Sequence, residues 1–287
     1  ITTIVLSLGM ERMAKRHVIV RKLNAVETLG STTVICSDKT GTLTRNEMTV
    51  RTVLTASGQV DVTGIGYAPE GELQVGGKPL ADGPLATEVR YALRGAWLAN
   101  NANLVKTPAG EWAIQGDPTE GALLVAARKA GWSPEQLAER FPRSGEVPFS
   151  SERKRMTTTH QDREKQDRLM VVSKGAPDVL LARCTHERVG DEVKELTEAR
   201  RAEILAGIDR LAQQALRTLG VAFRTARPET LSGALQEDEV EKQLVFLGVV
   251  GIIDPPRPEA AAAVKLAQGA GMRAVMITGD HPTTASA

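Results

Sequence analysis

The sequence predicts an α/β protein in which a parallel sheet, formed by the two ends of the chain, is interrupted by an inserted middle domain. Each end contains a short apolar run that is typical of a buried strand: residues 33–37 lead into Asp38, and residues 244–253 lead into Asp254. The middle, residues 51–243, mixes short strand patterns with helical ones. A length of 287 residues suits two domains, and a hydrophobic fraction of 41% suits a packed core.

The individual elements follow from hydrophobic spacing and from turn residues. Residues 57–86 are rich in glycine and proline, which predicts turns and hairpins there, notably at Gly76-Gly77. The predicted strands are 33–37, 51–56, 155–160, 169–173, 220–224, 244–253 and 273–277. The predicted helices are 86–99, 119–130, 197–219 and 259–269.

Charge and cysteine content exclude several classes of protein. Lys and Arg total 36 against 35 Asp and Glu, and this net charge of +1 argues against a polybasic nucleic-acid binder or a binder of anionic membrane surfaces. Cys36 and Cys184 form neither a disulfide framework nor a zinc motif, and they fit a reducing compartment.

The amino-terminal segment is mostly apolar over its first ten residues and basic from Arg12 to Lys22. This order favours the end of a membrane helix and a stalk over residues 1–22, with the positive charge on the cytoplasmic side, because a signal peptide carries its charges first. An ordinary amphipathic helix is the alternative. At the other end, the chain stops a few residues into a predicted new helix.

Asp38 directly follows a predicted buried strand, and open α/β sheets bind ligands at the carboxyl ends of their strands. A carboxylate at such a position can attack a phosphoryl group and form an aspartyl-phosphate. Gly41 permits a tight turn whose N–H groups face phosphate oxygens, and Thr42 offers a hydroxyl to the same oxygens. The alternative is an ordinary turn, since Asp, Gly and Thr are common turn residues.

The string Cys36-Ser37-Asp38-Lys39-Thr40-Gly41-Thr42-Leu43-Thr44 resembles the phosphorylation signature of the P-type ATPases, which pump ions by way of a phosphorylated aspartate. Five further stretches resemble the same family in the same order, and together they cover essentially the whole chain. They are Gly116-Asp117-Pro118-Thr119-Glu120, Pro148-Phe149-Ser150, Lys174-Gly175-Ala176-Pro177, Asp254-Pro255-Pro256-Arg257 and Thr278-Gly279-Asp280. The motifs look most like those of the calcium-pump branch.

This resemblance implies the domain organisation. A partial haloacid-dehalogenase-like phosphorylation domain, with a Rossmann-like parallel sheet, is expected in two parts at 23–50 and 244–287. An α+β nucleotide-binding domain with a mainly antiparallel sheet is expected at 51–243. ATP and Mg²⁺ are the implied cofactors.

At the phosphorylation site, the resemblance makes Asp38 the nucleophile for the γ-phosphate of ATP. It implies that Mg²⁺ is held by the Asp38 carboxylate and the Thr40 main-chain carbonyl, with a third ligand beyond the last residue of the chain. The other implied loop and phosphate-contacting residues are Lys39, Gly41, Thr42, Thr278, Gly279 and Asp280, the last of which orders its loop. Residues 278–280 also suit a strand-to-helix turn with an Asp N-cap.

In the nucleotide domain, the resemblance places Lys174 in the adenine pocket, Gly175 where it leaves room for the ring, and Phe149 in a stacking position. Aromatic rings stack readily on bases. The plain alternatives are a strand–turn–helix with Pro177 at the first helical position, and a phenylalanine that lies in the core.

The resemblance assigns four more residues around the nucleotide. Glu120 is implied near the adenine amino group, and Asp117 before it also suits a helix N-cap. Arg217 is implied to reach the phosphate chain. Arg257 is a candidate near the phosphates, and Asp254 is expected to order the hinge and the metal site.

Two positions depart from related proteins. Some calcium pumps carry Arg where Ser151 stands here, and Arg153 or Lys154 is the candidate replacement as a phosphate contact. Dehalogenase-type phosphatases carry an aspartate at the position of Thr40 as a general acid/base. Because threonine cannot serve that role near neutral pH, a long-lived phosphoenzyme is expected.

The leading hypothesis is the ATP-binding, autophosphorylating cytoplasmic portion of a multi-pass, ion-translocating membrane ATPase. A Ca²⁺-like divalent cation is the expected cargo, with Mn²⁺, Na⁺/K⁺ or H⁺ as alternatives. The implied partners are ATP, the transported cation, the lipid bilayer and an actuator domain of the same polypeptide, with no nucleic acid. The alternative functions are a nucleotide-binding module without turnover and a phosphatase of the dehalogenase superfamily.

Overall fold

The computed structural model describes residues 2–22, 24–165, 167–231 and 237–278. The chain divides into two compact units. The smaller combines Ile1–Arg45 with Pro256–Gly279, and the larger is Asn46–Pro255.

Helices and strands alternate irregularly along the described chain. The helices are α1 (Thr2–Ala14), α2 (Asn24–Gly30), α3 (Pro84–Leu98), α4 (Pro118–Lys129), α5 (Pro134–Arg140), α6 (Pro177–Leu181), α7 (Glu198–Gln213), α8 (Glu237–Val240) and α9 (Ala260–Gly269). The strands are β1 (Val34–Asp38), β2 (Thr49–Thr55), β3 (Gly58–Val62), β4 (Leu73–Val75), β5 (Lys78–Pro79), β6 (Asn103–Lys106), β7 (Trp112–Gln115), β8 (Arg143–Ser150), β9 (Arg155–Gln161), β10 (Leu169–Gly175), β11 (Cys184–Val189), β12 (Glu192–Glu195), β13 (Arg217–Ala226), β14 (Leu244–Ile253) and β15 (Arg273–Ile277).

The smaller unit is built on one pair of parallel strands. β1 and β15 run side by side from the Val34–Arg273 pair to the Asp38–Ile277 pair, and α9 precedes β15. The predicted parallel pairing of the two ends is therefore confirmed for these two strands. The haloacid-dehalogenase-like assignment of this unit stays a prediction.

The amino-terminal helix α1 has 13 residues and belongs to the smaller unit. Of the helices in the described ranges, none combines the length and the apolar character that a bilayer crossing requires.

The larger unit contains one wide sheet, and the prediction of a mainly antiparallel sheet is confirmed. Its main path is β5-β4-β3-β2-β14-β13-β10-β9-β8, with neighbouring strands antiparallel. β11 joins β14 in parallel and carries β12 as an antiparallel partner. The hairpin β6–β7 is separate.

Helices cover both faces of this sheet. Since successive residues of a strand point to opposite faces, neighbouring residues of a central strand pack in different cores. Val250 of β14 packs in the core that α3 and α4 share with the sheet. Its neighbour Val249 packs in the second core, which contains residues of α6 and α7. Both valines are fully buried.

The structure corrects the placement of residues 244–253. They form a strand, as predicted, but β14 pairs with β13 and β2 inside the large antiparallel sheet, not with the parallel pair of the chain ends. A continuous apolar run fits any strand that is buried on both faces, so this pattern cannot distinguish a parallel sheet from the centre of a wide antiparallel one.

The helix predicted at 197–219 is also shorter than expected. α7 ends at Gln213, Ala215 has a positive φ of 58°, and β13 begins at Arg217. The apolar residues at 216 and 219 contribute to the sheet cores instead of to a helix face.

Candidate functional site

Asp38 is exposed at the carboxyl end of β1, and the following residues form a tight loop. Gly41 adopts a φ of +75°, a conformation that favours glycine. Thr44 closes the loop: its Oγ1 accepts a hydrogen bond from the Gly41 N–H at 3.1 Å and donates to the Lys39 carbonyl at 3.1 Å. The motif contains Thr44, but the sequence reasoning gave it no role.

A second segment of the smaller unit braces the same loop. The Arg257 N–H donates to the Leu43 carbonyl at 2.8 Å, and Arg257 Nη2 donates to the Gly41 carbonyl at 3.2 Å. Thr44 and Pro256 form an isolated antiparallel bridge. The guanidinium of Arg257 therefore lies at the loop that carries Asp38.

Thr278 lies at the same edge of the parallel pair. It follows Ile277 directly, and Ile277 is the register partner of Asp38. The chain thus leaves both strands at one edge, next to the Asp38 loop. Gly279 and Asp280 lie outside the described residues.

The oxygen donors near Asp38 suit Mg²⁺. In the described part of the chain, His, Cys, Asp and Glu side chains form no group of three or more that could hold a metal ion. Mg²⁺ commonly takes one or two carboxylates and completes its shell with water and substrate phosphates. The Asp38 carboxylate and the Thr40 main-chain carbonyl match that requirement.

In the larger unit, a buried ion pair joins β10 to the start of α4. Lys174 is 5% exposed, and its Nζ donates to Glu120 Oε1 at 2.7 Å. Burial lowers the pKa of Lys174, and the charges of Glu120 and Asp117 oppose that shift.

The first turn of α4 places Glu120. Asp117 is the N-cap, and its Oδ1 accepts the N–H groups of Thr119 at 2.7 Å and Glu120 at 3.2 Å. Pro118 occupies the first helical position. The capping function predicted for Asp117 is therefore present, and it orients the turn that carries the Glu120 carboxylate.

A polar cluster that sequence reasoning missed extends from Glu120. The Asn101 N–H donates to Glu120 Oε2 at 2.8 Å. The Asn101 side chain accepts from Arg143 Nη1 at 2.6 Å and donates to Glu146 Oε1 at 2.9 Å. Arg143 and Glu146 also form an ion pair at 2.9 Å. No sequence signal could have found this cluster, because Asn101, at its centre, is 19 to 45 positions from its three partners.

Phe149 is exposed, with 60% of its surface accessible. It lies in β8, where the pairing with β9 shifts between Val147 and Ser150. Because the ring is exposed, the alternative of a core phenylalanine is wrong. A free aromatic face is what stacking on a base requires.

Packing between strands requires a glycine at position 175. A Cβ there would clash with the Lys154 carbonyl oxygen and with Arg155 Cα, because Gly175 is the register partner of Arg155 on β9. The neighbouring strand fills the space where a side chain would lie, and the expectation that Gly175 leaves room for the adenine ring stays a prediction.

Arg217 is exposed at the start of β13, and its Nη1 donates to Thr119 Oγ1 at 3.4 Å. It therefore lies beside the amino-terminal end of α4. Asp254 follows β14 in the larger unit, and with Glu47 it contributes to the raised pKa of Tyr67, of which burial is the main cause.

Comparisons with known proteins place the chain in a family. Residues 88–259, more than half of the chain, match the family model described as "P-type ATPase, cytoplasmic domain N". The chain belongs to the P-type ATPase family. The predicted resemblance is thus confirmed, and the match includes Glu120, Phe149, Lys174 and Arg217.

Several curated cation-transporting ATPases are similar to the chain over nearly its whole length. A calcium-transporting ATPase of Bacillus subtilis is 45% identical over 100% of this chain and 32% of its own length. The cation-transporting ATPase pma1 of Synechocystis is 44% identical over 100% of the chain and 31% of its own length. A probable cation-transporting ATPase F of Mycobacterium tuberculosis is 43% identical over 99% and 31%. The chain therefore spans about a third of the length of the curated relatives it matches.

Arg153 and Lys154, the two candidates for the phosphate contact that Ser151 cannot make, differ in their surroundings. Arg153 is 11% exposed and forms ion pairs with Glu237 at 3.3 Å and Glu241 at 3.2 Å. Lys154 is exposed. Of the two candidates, Lys154 is therefore the more exposed.

Proposed function

We propose that this chain is the ATP-binding and autophosphorylating portion of a cation-transporting P-type ATPase, and that Asp38 is the phosphorylated residue. One observation carries the assignment of Asp38: its carboxylate is exposed at the carboxyl end of a parallel strand, before a loop turned by Gly41 and closed by Thr44. Family membership supports phosphorylation of an aspartate, and the chemistry of this site favours Asp38 as that aspartate.

In the proposed reaction, a carboxylate oxygen of Asp38 attacks the γ-phosphorus of ATP. A new O–P bond forms, the bond to the β–γ bridging oxygen breaks, and ADP leaves. Main-chain N–H groups and the Thr42 and Thr278 hydroxyls are the proposed donors to the phosphoryl oxygens. Mg²⁺, held by Asp38 and the Thr40 carbonyl, would neutralise negative charge on the phosphates.

Thr40 favours a phosphoenzyme that persists. A threonine hydroxyl does not act as a general acid/base near neutral pH, so water attack on the acyl-phosphate lacks a base from this loop. That property suits a pump, in which hydrolysis is delayed until another element, the proposed actuator domain, activates water. It disfavours a simple phosphatase.

The larger unit is the proposed nucleotide-binding part. The exposed Phe149 ring is the proposed stacking surface for adenine, and the Lys174–Glu120 pair supplies the proposed polar contacts. Arg217, next to the start of α4, is the proposed contact to the phosphate chain. Since stacking needs only a free aromatic face, Phe149 is expected to contribute about 1–3 kcal/mol to binding.

The proposed domain boundaries are those of the two compact units. We assign the nucleotide-binding domain to 46–255, in place of boundaries at 51 and 243, and the phosphorylation domain to the rest of the smaller unit from residue 23 onward. Residues 1–22 remain the proposed stalk and end of a membrane helix.

The transported ion is proposed to be a divalent cation. Relatives named as calcium-transporting and cation-transporting ATPases support a cation pump. The cation, the lipid bilayer and a location of this portion on the cytoplasmic side are properties proposed for the intact protein.

The decisive experiment is phosphorylation of the parent protein by γ-labelled ATP and Mg²⁺. We expect an acid-stable, hydroxylamine-labile phosphoprotein that Asp38→Asn abolishes, with Asp82→Asn, an exposed carboxylate of the larger unit, as the matched control. Label that persists in Asp38→Asn contradicts the assignment. Rapid hydrolysis of simple phosphate esters without a stable phosphoenzyme favours the phosphatase.

A further inference from the structure

Glu241 is a fully buried carboxylate with three side-chain donors. Its Oε1 accepts from Thr157 Oγ1 at 2.6 Å and from Arg153 Nη1 at 3.2 Å. Its Oε2 accepts from Arg155 Nε at 2.6 Å. The charge is thus compensated by two arginines, one of them 5% exposed.

The backbone before Glu241 is fixed by the sheet. Arg224 of β13 donates from Nε to the Val240 carbonyl at 2.9 Å and from Nη2 to the Glu239 carbonyl at 2.6 Å. The Glu241 N–H donates to the Glu237 carbonyl at 2.9 Å. α8 therefore holds the Glu241 side chain against β9.

One path leads from Glu241 to Phe149. Arg153, which one carboxylate oxygen of Glu241 holds, donates from Nη2 to the Pro148 carbonyl at 3.1 Å. Pro148 is bonded directly to Phe149, in the part of β8 where the pairing with β9 is irregular. A strand segment with irregular pairing depends on such side-chain contacts for its position.

A second path leads to Lys174. Thr157, which donates to Glu241, also shares a 2.7 Å hydrogen bond with Ser173. Ser173 is the register partner of Thr157 and precedes Lys174. Because neighbouring strand residues point to opposite faces, this contact fixes the strand behind the Lys174 side chain.

We propose that Glu241 is a positioning residue for the nucleotide surface: through Arg153 it sets the Phe149 ring, and through Thr157 and Ser173 it sets the strand that carries Lys174. This inference rests on the proposed adenine contacts of those two residues. None of the described hydrogen bonds or ion pairs joins Glu241 to either residue, and Glu241 lies on the face of β10 opposite the Lys174 side chain.

A matched control exists in the same unit. Glu88 is also fully buried, and its carboxylate accepts from Thr55 Oγ1 at 2.7 Å, from Ser57 at 2.6 and 2.8 Å, and from the Gly190 N–H at 2.6 Å. None of these donors contacts Phe149 or Lys174 among the described interactions. Glu88→Gln therefore measures the cost of disturbing a buried carboxylate without a path to the nucleotide surface.

The test is calorimetric titration of the whole chain with ATP and with adenosine. Arg153→Met is the primary variant, because it removes the bond to Pro148, together with the guanidinium's bonds to Glu241, Glu237 and the Arg155 carbonyl, and leaves the Arg155–Glu241 pair in place. We expect about threefold to tenfold weaker binding of both ligands, as for the loss of one hydrogen bond. In a Phe149→Ala background, the same substitution is expected to have almost no further effect.

The outcomes separate the possible explanations. An equal loss in both backgrounds shows that Arg153 acts independently of Phe149. A loss for ATP but not for adenosine shows that Arg153 contacts phosphate directly. Either result overturns the positioning role. Glu241→Gln should weaken binding per folded molecule, whereas Glu88→Gln should lower thermal stability and leave affinity unchanged. An identical affinity loss in both glutamine variants also overturns the inference. If Phe149→Ala itself leaves affinity unchanged, the proposed nucleotide surface fails instead.

Discussion

Lys174 and Glu120 form an ion pair of 2.7 Å across 54 positions of sequence, and Lys174 is almost completely buried. The pair connects the end of β10 to the capped first turn of α4. Two of the family motifs thus meet in one local structure, in which neither charge is independent of the other.

We expect Glu120→Gln to destabilise the chain by about 3 kcal/mol at pH 7, because it leaves the buried ammonium of Lys174 without its counter-charge. Urea unfolding of the purified chain measures this. Glu111→Gln, which changes an exposed carboxylate, should be nearly neutral. Equal stability of the two variants would contradict a structural role for the pair.

His160 should make stability depend on pH. Burial is the main cause that lowers its pKa from the ordinary 6.5 to about 4. Its ring nitrogens contact the Phe141 carbonyl at 3.0 Å and Thr158 Oγ1 at 2.9 Å. As the pH falls from 6.5 to 4, the unfolded chain gains a proton that the folded chain does not, so up to about 3 kcal/mol of stability is lost.

The measurement is the free energy of unfolding at several pH values between 7 and 4. His160→Gln should show a shallower decline over this window than the unsubstituted chain. His186→Gln, whose ring is exposed, should retain the full decline. A decline that is unchanged in His160→Gln would assign the pH dependence to other groups.

Gly175→Ala should lower stability by about 1–3 kcal/mol, because the added methyl group meets the backbone at Lys154 and Arg155. Gly269→Ala is the matched control. Its Cβ would have no neighbour within 4 Å, and it lies at the end of α9, so it should be neutral or slightly stabilising. Thermal unfolding distinguishes the two, and a neutral Gly175→Ala would refute the packing explanation.

Thr44→Val should impair phosphorylation of the parent protein by about tenfold, because it removes two hydrogen bonds that close the Asp38 loop. Phosphoenzyme formation at saturating ATP is the readout, and ATP affinity should change little. Thr28→Val, which removes an exposed helix hydrogen bond, is the control. A normal phosphoenzyme level in Thr44→Val would show that the loop holds its shape without this side chain.

The elements with strong local patterns were predictable, and those defined by their partners were not. β15 has the predicted bounds, and the Gly76-Gly77 turn lies between β4 and β5 with both residues at positive φ. The short hairpins β6–β7 and β11–β12 were missed, because their residues lack a clear alternation of apolar and polar side chains.

The sequence by itself determined the family, the position of Asp38 after a strand, and the capped start of α4, because these depend on residues that are close together in the chain. Only the tertiary structure decided that β14 lies in the large sheet, that a neighbouring strand fills the space beside Gly175, and that Arg153 is paired with Glu241. Hydrophobic periodicity shows which residues are buried, but it does not show what they are buried against. The partner of a strand or a buried charge is chosen by packing among residues that are distant in sequence.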